Sequence, residues 1–149
     1  MPIYMKFEGI DGDVTAVGHE KWIEVNSVQL GAVCPPSQRQ GSAASISEIV
    51  VTKQLDSATV KLMLACTGGK PLKGGQIDFV RSAENHPLTY LSYQLENTLV
   101  TSFNTSSDGD SRPFESISLN FTKISFRYAH LNPDGSVGGV DEGVWPGSR

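Results

Sequence analysis

Ile49-Val50-Val51-Thr52-Lys53, then Asp56-Ser57-Ala58, then Leu62-Met63-Leu64-Ala65-Cys66-Thr67-Gly68-Gly69-Lys70-Pro71 is the stretch that decides the fold. Ile49 to Thr52 is β-branched throughout, and two heavy atoms on Cβ favour a pleated strand. Ala58 to Cys66 holds good helix formers and neither Gly nor Pro. Asp56 or Ser57 offers a side-chain oxygen to the free amides of a first turn. Gly68-Gly69 supplies a left-handed cap, and Pro71 prevents continuation. Ile77 to Val80 is strand-like again. The spacing predicts one short helix inserted between strands.

Outward from that stretch, the rest of the chain reads as strand and turn. Ile3, Met5 and Phe7 alternate with Tyr4, Lys6 and Glu8, the period of a half-buried strand. Gly9-Ile10-Asp11-Gly12-Asp13 is a turn cluster. Glu20 to Leu30 is a second strand whose parity slips between Ile23/Val25 and Val28/Leu30; a bulge near Asn26-Ser27, or burial on both faces, accounts for the slip. Val33 to Ser45 is a polar loop of a length that in compact domains is functional or mobile. Gly75 to Ser82 and Leu88 to Phe103 are further strands, and Asn104 to Arg112 is a hairpin loop. Phe114 to Tyr128 is the last long strand, with a bulge expected at Thr122-Lys123. The tail 132–149 is Gly-rich with turn residues, and Trp145 is its only large anchor. On the helix, Val60, Met63 and Leu64 form one stripe beside Ala58, Leu62 and Ala65. A helix this apolar calls for cover on most of its surface, at the end of a barrel or under a partner subunit. The expected fold is mainly β: a curved antiparallel β-barrel of two sheets with one short inserted α-helix.

At 149 residues the chain is expected to be a single domain, large enough to hold a core without disulfide or metal. The net charge of −4, with no basic cluster, argues against nucleic acid. No segment has the length of a membrane helix, and Met1-Pro2-Ile3-Tyr4-Met5-Lys6 lacks the apolar run of a signal peptide, so folding in the cytosol is expected. Two cysteines make no disulfide framework: Cys66 reads as a small core residue and Cys34 as a loop residue.

The chain carries little recognisable catalytic or metal-binding pattern. Gly68-Gly69-Lys70 ends a helix and is followed by Pro71, whereas a phosphate loop opens a helix and continues with Ser or Thr. Asp11-Gly12-Asp13 opens like a calcium loop, but Ala16 and Trp22 stand where Gly and Glu are needed, so a tight turn is the better reading. Asp108-Gly109-Asp110 and Asp134-Gly135 are turn chemistry. His19, His86 and His130 have no second ligand at metal spacing and read as structural or surface residues. No G-x-S-x-G elbow is present. Glu24, Glu48, Glu96 and Glu115 are scattered over expected strands. Asn120-Phe121-Thr122 fits a glycosylation acceptor by formula only, since it lies in strand pattern. Neither a catalytic residue, a metal nor a cofactor is expected.

Several segments resemble the haemolysin-coregulated protein (Hcp) family, the tube protein of the bacterial type VI secretion system. They are Gly9-Ile10-Asp11-Gly12-Asp13 with His19-Glu20-Lys21-Trp22-Ile23-Glu24-Val25; Thr52-Lys53 with Asp56-Ser57-Ala58 and the helix to Lys70; Tyr90 to Val100-Thr101-Ser102; and Ile117-Ser118-Leu119-Asn120-Phe121 to Tyr128. The resemblance spans Met5 to Tyr128 and rests on the order and spacing of the segments. It implies homohexameric rings stacked into a tube, driven by a sheath, capped by a spike protein, and carrying small effectors in the lumen. It further implies assembly in the cytoplasm and secretion without a cleaved signal peptide or insertion into a membrane. Assembly contacts are expected at Asp11, Gly12 and Asp13 and in the long loop at Val33, Pro35, Pro36, Gln38, Arg39 and Gln40. Gln29 falls near a lumen-lining position. The family commonly carries aromatic residues where Val28, Gln29 and Leu30 stand, and glycine-rich sequence where Cys34-Pro35-Pro36 stands. No fused toxin domain is expected after Arg149. Two other readings remain open: a monomeric β-barrel module binding a ligand or peptide at its mouth, and a hydrolase whose carboxylates converge only in three dimensions.

Overall fold

The computed structural model describes residues 1–36, 45–81 and 87–146. Its elements are β1 (Ile3–Lys6), β2 (Ile23–Val25), β3 (Ser27–Gln29), β4 (Ala32–Val33), β5 (Ser45–Ile46), β6 (Ile49–Gln54), α1 (Thr59–Gly68), β7 (Gly75–Arg81), β8 (Leu88–Glu96), β9 (Leu99–Ser106), β10 (Phe114–Asn120), β11 (Lys123–Leu131) and β12 (Val137–Trp145). A six-stranded sheet runs β12-β11-β8-β7-β1-β2, a four-stranded sheet runs β3-β6-β10-β9, and β4-β5 form a separate ribbon. Every pairing is antiparallel. The two sheets curve around one core without closing into a complete barrel.

Three strands change sheet, among them the two whose parity slips. β2 passes to β3 at Asn26, whose N–H donates to Thr52 O at 2.7 Å. β8 passes to β9 at Asn97-Thr98, with Asn97 at φ 53°, a left-handed conformation that asparagine tolerates. β10 passes to β11 at Phe121-Thr122, where the Thr122 N–H donates to Glu96 O at 3.1 Å. When a strand bends from one sheet to the facing one, its parity must flip for its apolar side chains to keep facing the same core. The break at Thr122-Lys123 is therefore a corner; the bulge in that ladder lies at Ser118/Leu119. Met5, Ile23, Ile77 and Ile124 from the large sheet meet Ile49, Val51, Ile117 and Leu119 from the small one, all at 0% exposure. Each such side chain contributes about 1.5–3 kcal/mol by leaving water.

The chain after Asn132 corrects the expectation of a turn-rich tail. β12 is nine residues long and pairs with β11 from Ile124↔Trp145 to Leu131↔Val137. Its glycines and irregularly placed valines hide it from a periodicity test, because an exposed edge strand has no face to bury. The Asn132–Ser136 turn (Asn132 N–H to Ser136 O, 2.8 Å) and the free edge of β11 fix its course. Trp145 is its half-buried anchor, edge-on to Phe121 at 6.3 Å.

The helix begins one residue later than expected and runs to Gly68, with Gly69 at φ 64° and its N–H on Ala65 O. Ala58 stands at the cap position without a side-chain cap; Asp56 instead accepts the Ala58 N–H at 2.9 Å. Of the two stripes, Ala58 and Leu62 are buried, with Ala65 and Cys66 half-buried against the core. The expectation of a mostly covered helix is wrong for this chain alone: Val60, Met63 and Leu64 are 60%, 43% and 59% exposed.

A buried ion pair sets that orientation. Lys53 on β6 and Glu115 on β10 are cross-strand partners, 0% and 1% exposed, with Nζ 2.6 Å from Oε1. Lys53 Nζ also reaches Asp56 Oδ1 at 2.9 Å, Gln54 O at 3.0 Å and Thr59 Oγ1 at 3.3 Å. The Thr59 hydroxyl donates to Glu115 Oε2 at 2.7 Å and accepts the Asp56 N–H at 3.1 Å. The first helical residue is thus tied to the small sheet. Leaving one ion of such a pair alone costs about 3–5 kcal/mol, whereas replacing both by apolar groups is near neutral. Lys53→Met is expected to lower unfolding free energy by about that amount in urea titration, and Lys53→Met with Glu115→Leu to recover most of it.

Candidate assembly surfaces

The first turn is a structural clamp. Gly12 is buried, its N–H donates to Lys21 O at 2.8 Å, and a Cβ there would lie 2.7 Å from Ile23 Cα. Asp13 reaches the helix entrance, where its carboxylate accepts the Ser57 N–H at 3.2 Å and the Ser57 hydroxyl. Hydrogen bonding from that hydroxyl, above all, holds the Asp13 carboxyl below the usual aspartate range. Asp11 is exposed beside them. A carboxyl with a depressed folded value adds stability that is present above its unfolded value and lost as pH falls through the folded one. Asp13→Asn is therefore expected to lower the melting temperature at neutral pH, with the difference fading below about pH 4. Gly12→Ala is expected to cost about 1–3 kcal/mol, read in the same melts, because backbone must move to admit the methyl.

The two ends of the expected long loop, Val33 and Ser45, belong to a two-stranded arm. β3 and β6 continue through Gly31, whose N–H meets Ser47 Oγ at 2.9 Å, into β4 and β5, where Val33 pairs with Ser45. Val33 is 62% exposed, Cys34 and Pro36 are exposed and Pro35 is half-buried. Gln38, Arg39 and Gln40 lie outside the described residues, as does His86.

Gln29 belongs to a larger surface that the sequence reading did not assemble. The outward face of the small sheet carries, beyond the Gln54–Phe114–Ser106 row at one end, two further cross-strand rows. Ser27, Thr52, Ser116 and Asn104 form one; Gln29, Val50, Ser118 and Ser102 form the other. Ser27 Oγ and Thr52 Oγ1 are 2.5 Å apart. None of the eight positions is charged. The signal was legible as Ser, Thr, Asn and Gln alternating with core residues along four separate strands; only the sheet order brings them together. The face ends at β3 on one side and β9 on the other, both edge strands within the chain.

Two polar clusters bear on catalysis. His19 is buried between Tyr4 and Trp22 with Nε2 2.9 Å from Asp78 Oδ2. Ser92 Oγ donates to Asp78 Oδ1 at 2.8 Å, so hydroxyl and imidazole both serve the carboxylate and are not paired as nucleophile and base. Asp13, Glu24 and Asp56 line one cleft with Arg112. Asp13 is held by Ser57, and Asp56 by Lys53 and the Ala58 N–H. Among the described residues, no group of His, Cys, Asp and Glu could hold a metal ion.

The family model described as "Type VI secretion system effector, Hcp" matches residues 4–128. Protein hcp1 of Pseudomonas aeruginosa is 29% identical over 96 residues, which are 64% of this chain and 59% of that protein. The chain thus matches less than two thirds of the length of that relative. Among solved structures, a type six secretion system protein superposes with a TM-score of 0.85 at 28% identity, over 97% of this chain and 94% of the other. A type VI secretion system effector from Yersinia pestis superposes with a TM-score of 0.80 at 23% identity, over 96% and 98% of the two chains, and shares the fold. With a match that runs from β1 to Tyr128 on β11, this chain belongs to the Hcp family of type VI secretion.

Proposed function

We propose that this chain is a structural subunit of the type VI secretion tube, assembling into hexameric rings that stack. The uncharged four-stranded face bounded by two unpaired edges carries this reading. Exposed edge strands are a liability that closure into a ring of continuous sheet removes, and a ring needs a head-to-tail interface. With β3 of one subunit set against β9 of the next, the Ser, Thr, Asn and Gln rows would line a wide bore. Apart from Val50 the eight positions of such a wall carry hydrogen-bonding groups and none carries charge, with Glu48 the nearby carboxylate beside Gln29 and Ser118, which suits passage of small effectors of varied charge. Gln29 would lie in that lining. The arm carrying Val33, Pro35 and Pro36 would reach the neighbouring ring, with Asp11 to Asp13 clamping the helix beside the subunit boundary. Sheath and spike proteins would be the outer partners. Assembly would take place in the cytoplasm, before secretion without a cleaved signal.

The role is mechanical and needs no catalytic group. Paired-acid hydrolysis requires one carboxylic acid raised toward neutrality. In the Asp13–Glu24–Asp56 cleft, Asp13 is shifted the opposite way and two of the three carboxylates are engaged in tying down the helix. A ligand-binding barrel needs an interior; here the space between the sheets is filled by side chains at 0% exposure.

Mass measurement under native conditions with negative-stain imaging tests the proposal. Ring particles of one mass, six times the subunit, are expected; lone molecules at every concentration would refute it. Replacing residues 34–44 by a two-residue turn is expected to preserve rings and abolish ring-on-ring stacks.

A further inference from the structure

The outward stripe of α1 is an apolar surface that its own chain leaves uncovered: Val60, Met63 and Leu64 stand exposed in a helix whose one charged residue is Lys61. Contiguous exposed apolar surface marks an interaction site more often than a scattered exposed leucine does. The helix and the segment after it carry only basic charge, although Asp13 bonds Ser57 at the helix entrance and Lys61 Nζ lies 3.4 Å from Gly9 O of the first turn. Lys61, Lys70 and Lys73 occur between Ser57 and Ile77 with no acidic residue among them.

A surface of complementary character lies on the opposite flank. β8 runs on into β9, and β10 into β11, so the two pairs form one bent ribbon. The helix packs against β9 on one side of that ribbon, and β12 pairs with β11 on the other. β12 is the free edge of the large sheet and carries Val137, Val140 and Val144, each more than 40% exposed. From Asn132 to Trp145 the charged residues are Asp134, Asp141 and Glu142, with no lysine or arginine; Glu142 lies 3.7 Å from Arg127 of β11 and Asp141 2.7 Å from His130, both pairs being exposed.

We infer that the helix flank of one subunit (Val60, Met63, Leu64, Lys61) seats the β12 flank of the next copy (Val140, Val144, Glu142). This rests on the ring reading above and names the surfaces that make it. Two different patches on opposite flanks give a heterologous contact, the kind that propagates around a ring. The apolar stripes exclude water, and the opposed charges set direction, since helix against helix or hairpin against hairpin would place like charges together. The same contact covers the free edge of the large sheet.

Leu64→Asp and Val140→Asp are exposed positions, so each variant is expected to keep the wild-type circular dichroism spectrum and melting temperature. Each is expected to weaken ring formation at least about tenfold in concentration-dependent native mass measurement, because a carboxylate would have to be desolvated. Lys61→Glu and Glu142→Lys are each expected to weaken it as well, and the double variant to restore it. If wild-type protein forms rings and the aspartate variants form them equally well, the inference fails while the tube reading stands. Wild-type protein that stays monomeric sinks both. Intact rings that lose capture by the sheath in Leu64→Asp would assign the helix to another partner and overturn the inference. A double variant weaker than either single would overturn the pairing of the two surfaces.

Discussion

The buried Lys53–Glu115 pair is the constraint on which the molecule turns. Two ions at the edge of an apolar core can persist only if every remaining charge and lone pair is answered. Asp56, Thr59 and the Gln54 carbonyl answer them, and all three sit at or just before the helix entrance. The start of α1 is therefore fixed in position and in rotation. Ala58 and Leu62 go inward and Val60, Met63 and Leu64 go outward as a consequence. Asp13 adds a second tie from the first turn, which Gly12 brings close by lacking a side chain. A stability feature thereby determines which apolar surface the subunit offers to others.

The second organising feature is the sharing of strands between sheets. Three strands bend from one sheet into the other, so each corner stiffens both layers and the core is continuous across them. The bend separates two outward faces of different character. The large sheet buries His19, Asp78 and Ser92 under the turn that carries Trp22. The small sheet leaves its rows of hydroxyl and amide side chains open, free of fixed charge. The chain therefore has a packed interior and distinct surfaces on its faces and flanks, the requirement that the proposed ring subunit would have to meet.

Much of this was legible in the chain. The helix and its glycine end followed from propensity and left-handed geometry, which are local. The β-branched runs gave the strands, and the order of motifs from Met5 to Tyr128 matched the family. The parity slips at Asn26 and Thr122 were visible, but a bulge and a sheet-changing corner produce the same slip; only partners in space separate them. β12 escaped because its pattern carries no buried face, and its pairing depends on an edge supplied by β11. Lys53 and Glu115 are not legible as a pair because they stand 62 positions apart in the chain. Gln29 was placed by resemblance, while the seven positions that complete its face come from three other strands and its own.

Sequence alone determined the local conformations, the β class, the family and the want of catalytic motifs, because these rest on propensity, period and spacing along one chain. Tertiary structure decided which helix stripe is buried, where strands change sheet, that the tail is a strand, and which uncharged side chains share a face. Those outcomes depend on pairing and burial between residues far apart, and no short window of sequence contains both partners.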